Sequence, residues 1–128
     1  MVVAKKLKKI NKLSEASTSK SKEVVSKIKE TEDIDEILEY TRHEHPEVRL
    51  SALQQLCPCH VKNNVDEFWN RILEMVDDSE MGIKKQVLHN LCDGSPKERE
   101  TDIIQAIKKL SREDDKEIRR ICHKVLAN

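Results

Sequence analysis

Aromatic side chains are almost missing from this chain: Tyr40, Phe68 and Trp69 are the only three. A protein that holds single-stranded nucleic acid by stacking its bases needs more such rings, so that mode of binding is disfavoured. Glycine and proline number two and three, too few to supply the frequent turns of an all-β chain. No apolar run approaches the roughly 20 residues of a membrane span. The N-terminus carries lysines without the long apolar stretch of a secretory signal, and it has no arginine of the kind common in mitochondrial presequences. A cytoplasmic protein with no membrane span is expected. No glycine-rich phosphate loop, Ser-His-Asp arrangement or His-Glu-x-x-His run occurs, and the chain is read as a non-enzyme.

What the chain has in abundance is charge, at 38% of residues, which suits long solvated helices. The neutral total hides an asymmetry. Residues 1–30 hold nine lysines against Glu15, Glu23 and Glu30, a net +6, so residues 31–128 carry −6. A basic arm on an acidic body can make weak contact with nucleic acid, with an anionic surface, or with the body itself. Val3, Leu7, Ile10 and Leu13 stand at helical spacing between the lysines, and residues 14–22 are polar and linker-like. The arm over 1–30 is thus expected to be flexible or partly helical.

The strongest pattern appears when the chain is laid on itself at a shift of 35 residues. Val48, Ile83 and Ile118 align, as do Ala52, Val87 and Cys122, and Leu56, Leu91 and Leu126. Ile37, Ile72 and Ile107 form a column, with Tyr40, Met75 and Leu110 beside it and Ile34, Trp69 and Ile104 three residues earlier. Within each copy the apolar residues step by three and four, which places them on one helical face. Each copy therefore predicts helix, short turn, helix, with helices near 32–42, 46–57, 65–77, 80–93, 96–111 and 115–127. Pro46 suits a first helical turn, and Pro58 stops the helix before it. Asn64 with Glu67, Ser95 with Pro96 and Glu98, and Asp114 with Glu117 supply N-terminal caps, while Gly94 suits a helix stop. Copies fall at about 31–60, 64–94 and 95–128.

The second helices begin Pro46-Glu47-Val48-Arg49-Leu50-Ser51-Ala52 and Asp115-Lys116-Glu117-Ile118-Arg119-Arg120-Ile121-Cys122. This resembles the HEAT repeat, whose second helix starts with an acidic turn and then Val-Arg-x-x-Ala. The resemblance covers residues 32–128. It departs in the middle copy, where Lys84 and Val87 replace the Arg and Ala, and in copy length, which is shorter than the usual ~40–47 residues. It implies an all-α, armadillo-like fold, a right-handed α-solenoid of three helix pairs, and a scaffold role toward a protein partner whose identity stays open.

The basic column Arg49, Lys84 and Arg119, extended by Lys85 and Arg120, has two readings. HEAT repeats commonly pair this position with an acid in a neighbouring turn, and Asp78, Glu113 and Asp115 are placed for such a ladder; the alternative is a stripe that contacts phosphates. The ladder is preferred because the repeat body is acidic. Cys57, Cys59 and His60 gather where the first copy ends, and His89 and Cys92 lie one copy on, so these five residues form a candidate zinc site. Packed or capping residues are the simpler account, since Cys is among the most buried residue types. Cys122 falls in a core column. His43-Glu44 matches one half of the His-Glu pairs with which deoxyhypusine hydroxylase, another HEAT stack, holds iron; lacking a symmetry mate, it predicts no di-iron site. A non-enzymatic protein-interaction module is the leading function, and a metal-binding or nucleic-acid-binding protein is the alternative.

Overall fold

The computed structural model describes residues 21–57, 66–93 and 95–127, and among them every regular element is helical. Residues 21–30 are helical (α1). Then come α2 (Ile34–Tyr40), α3 (Pro46–Gln55), α4 (Asp66–Glu74), α5 (Met81–Cys92), α6 (Glu100–Leu110) and α7 (Lys116–Ala127). Short 3-10 turns extend α4 over Met75–Asp77 and precede α6 over Lys97–Arg99. No helix among the described residues is long and apolar enough to cross a membrane.

Local chemistry accounts for most of the boundaries. The Asp33 carboxylate accepts the Asp35 amide at 3.1 Å and caps α2. Pro46 opens α3, as its missing N–H allows. At α7 the cap is Asp115, whose Oδ1 accepts the Ile118 amide at 3.0 Å, one residue later than the Asp114 expected from the sequence. The Ser95, Pro96 and Glu98 cap also behaves differently from expectation. Pro96 precedes a 3-10 turn, and α6 itself starts at Glu100 without a side-chain cap. The expected roles of Asn64, Pro58 and Gly94 fall on residues outside the described ones.

The 35-residue columns become the core. Val48, Ile83 and Ile118 are buried, as are Ala52, Val87 and Cys122, and Ile37, Ile72 and Ile107. Helices touch within each pair, α2 with α3, α4 with α5 and α6 with α7. They also touch between like members of successive pairs, α3 with α5 and α4 with α6. One buried polar link crosses the second contact: Asn90 on α5, fully enclosed, donates to the Leu53 carbonyl of α3 at 2.9 Å and accepts from Gln86. A polar group without solvent needs such partners.

The folded body begins earlier than residue 31, where the sequence placed the boundary. Ile28 of α1 is fully buried and belongs to the main core cluster, and Val24 and Val25 pack against it. The linker-like composition of 14–22 hid this, because one short apolar stripe at 24, 25 and 28 is enough to seat a helix on a neighbour.

Candidate functional site

Three regions merit description as sites: the turn ladder, the Cys57 cluster and a groove at the α6–α7 end. In the ladder, Arg49 grips Asp78 with both ends of its guanidinium, Nε to Oδ2 at 3.0 Å and Nη2 to Oδ1 at 3.2 Å. Its Nη1 donates to the carbonyls of His43 and Glu44 at 2.9 and 3.0 Å. A bidentate pair of this kind is both strong and directional. Asp78 also accepts the Glu80 amide at 3.0 Å, so one carboxylate ties the first turn to the start of α5. One period on, Lys84 pairs with Glu113. Lys85 reaches Glu117 at 3.0 Å and Asp115 at 3.5 Å. The hydrogen bond that Lys85 donates to the Glu117 carboxylate holds the ammonium above its ordinary pKa. The Ile118 amide, and then Lys85, hold the Asp115 carboxyl below its own. Arg119 makes a 3.4 Å bond to the Asp114 carbonyl, and Arg119 and Arg120 are exposed. The sequence column thus divides: Arg49, Lys84 and Lys85 are engaged in ion pairs between successive pairs, and the two arginines on α7 face solvent.

The cysteine cluster differs from its sequence version. Cys57 Sγ lies 3.6 Å from His89 Nε2 and 3.3 Å from Asp93 Oδ2. The donor atoms of all three residues fall within 4.8 Å of one another, the one group of this kind among the described residues. Cys57 is buried, while His89 and Asp93 are exposed. Cys59 and His60 lie outside the described residues. Cys92 does not join. It is exposed and lines the groove toward α6 and α7, where partial burial raises its thiol pKa.

The reason is geometric. Residues one period apart in a repeat point the same way, so Cys92 faces the next pair just as Cys57 faces α5. A partner for Cys57 must come from the opposite side of α5, and Asp93 does so four residues after His89. That His-x-x-x-Asp spacing on one helical face is the signal in the sequence that could have found Asp93. Cys122 is buried as expected, and burial together with Cys92 raises its thiol pKa. His43 and Glu44 enter no ligand cluster among the described residues; their carbonyls serve Arg49 instead.

The groove has a volume of about 650 Å³ and is lined by Leu91, Ile103, Ile104, Ile107, Val125 and Leu126 among others. Its floor is the end of two columns. Trp69 is 3% exposed, while its counterpart Ile104 is 37% exposed. Leu91 is buried, while Leu126 is half-buried. Ile104 and Val125 are the exposed large hydrophobics of the described chain. Glu100 and Lys108 also line the groove. Comparison with protein families, characterised proteins and solved structures finds no match.

Proposed function

We propose that this chain is a non-enzymatic, cytoplasmic protein-interaction module, a short HEAT-like right-handed α-solenoid whose α6–α7 end receives an apolar helix from a protein partner. The solenoid reading is supported by the 35-residue columns and by contacts that run both within pairs and between like helices of successive pairs. The interaction reading rests on one observation. Equivalent positions that are covered in the middle copy are open in the last, with Ile104 and Val125 exposed over an apolar groove. Helix-in-groove recognition uses such a surface, and a stripe of residues at helical spacing would fill it. Glu100 and Lys108 offer one charge of each sign to orient the incoming helix. The alternative of a phosphate-reading stripe gains little support, since three of its five basic residues already hold carboxylates.

The test compares the whole chain with Ile104→Asp and Val125→Asp as bait in the cell of origin. Both sites are exposed, so circular dichroism should show unchanged folding. A specific partner should be captured by the parent chain and lost with either variant. Capture that is indifferent to both substitutions would place the binding surface elsewhere.

A further inference from the structure

We infer that Cys57, His89 and Asp93 form a site for one zinc-class divalent cation at the seam between α3 and α5. This goes beyond the interaction surface and is independent of it, since the two share no residue.

The first support is distance. Around a tetrahedral zinc, with sulfur at ~2.3 Å and nitrogen or oxygen at ~2.0–2.1 Å, neighbouring donor atoms sit about 3.5 Å apart. Here the sulfur stands 3.6 Å from the imidazole Nε2 and 3.3 Å from the carboxylate Oδ2. The same two contacts serve as hydrogen bonds of the metal-free thiol, and the convergence of all three donor atoms within 4.8 Å of one another is what fits a single ion. The second support is charge. Cys57 follows the end of α3, while Asp93 is the C-cap of α5. Helix C-termini carry partial negative charge, and the Asp93 carboxylate adds a full one. A divalent cation neutralises this concentration of negative charge. Binding then displaces the thiol proton to solvent and converts Cys57 to the thiolate ligand. The third support is the mixed burial. Cys57 is only 4% exposed, while His89 and Asp93 face solvent, which leaves a side open for a water as a fourth ligand. The site does not recur. One period on, the equivalents of Cys57, His89 and Asp93 are Cys92, Lys124 and Asn128, and a lysine there repels a cation.

The experiment is cobalt(II) and zinc titration of the full chain, purified under reducing, chelator-free conditions. The parent protein and Cys92→Ser should each bind about one equivalent. Cobalt should give the near-ultraviolet band of thiolate-to-metal charge transfer. His89→Ala and Asp93→Asn change exposed residues and should fold. Each should weaken binding by more than about tenfold, since even the loss of outer-shell partners costs ~10–100-fold. Cys57→Ser should abolish the charge-transfer band; should that variant not fold, the two exposed variants decide the matter. Absence of stoichiometric binding by the parent chain, undiminished affinity in His89→Ala or Asp93→Asn, or loss of the ion in Cys92→Ser would each overturn the assignment.

Discussion

At the residue scale, the most consequential contact is that of Asp78. Its side chain is 9% exposed and that of Arg49 14%, so neither is well solvated. Removing one member of such a pair leaves the other charge buried and uncompensated, which costs about 3–5 kcal/mol. Asp78→Ala should therefore lower the unfolding free energy by about 3 kcal/mol, measured by urea titration. Glu113→Ala should cost less, because Glu113 is 27% exposed and holds a lysine through a single contact. Equal losses would mean that the two rungs contribute alike and that bidentate geometry adds nothing here. The sequence placed both acids opposite the basic column. The Arg49 bonds to the His43 and Glu44 carbonyls were out of its reach, because backbone acceptors carry no residue signature.

At the scale of the elements, a column position counts according to its cover. Leu91 is enclosed between successive pairs, and Leu126 is half open. Leu91→Ala should cost about 2–5 kcal/mol, the usual range for a buried leucine, and Leu126→Ala distinctly less. Thermal or urea unfolding of both variants checks the order, and a reversal would contradict the burial pattern. The six helices read from periodicity all appear, with ends shifted by up to four residues, the largest shift at the start of α6. What the sequence could not place was the detail at turns. Pro96 precedes a 3-10 turn and α6 starts only at Glu100, and the cap at α7 is Asp115, which accepts the Ile118 amide, instead of Asp114. The candidate metal site was half legible. Of the five residues grouped from the sequence, Cys57 and His89 lie side by side, Cys92 stands apart, and Cys59 and His60 fall outside the described residues; Asp93 was missed because repeat alignment pairs equivalents and hides residues that face them.

At the scale of the whole molecule, the boundary between arm and body is the testable quantity. Removing residues 1–20 leaves Ile28 in place, and the melting transition should stay nearly where it is. Removing residues 1–30 takes away a fully buried isoleucine and uncovers the apolar side chains packed on it. That truncation should lower the melting temperature clearly, as differential scanning calorimetry would show. If both truncations melted alike, α1 would contribute nothing to the body despite the burial of Ile28.

The links between helix pairs are unequal. Between the first pair and the second lie the two-pronged Arg49–Asp78 grip, the enclosed Asn90–Leu53 hydrogen bond and the approach of His89 and Asp93 to Cys57. Between the second and the third, Lys84 holds Glu113, Arg99 reaches Asn70 and Asp66, and Lys85 with Glu117 and Lys109 with Asp77 add exposed ion pairs, but no enclosed bond like that of Asn90 is found among the described residues. Local opening starts where the contacts between neighbouring helices are weakest. Hydrogen exchange should therefore find the backbone amides of α6 and α7 exchanging with solvent sooner than those of α3 and α5. The surface proposed for a partner would then lie on the part of the molecule that rearranges most readily, and a helix bound there would slow that exchange by holding the last pair closed.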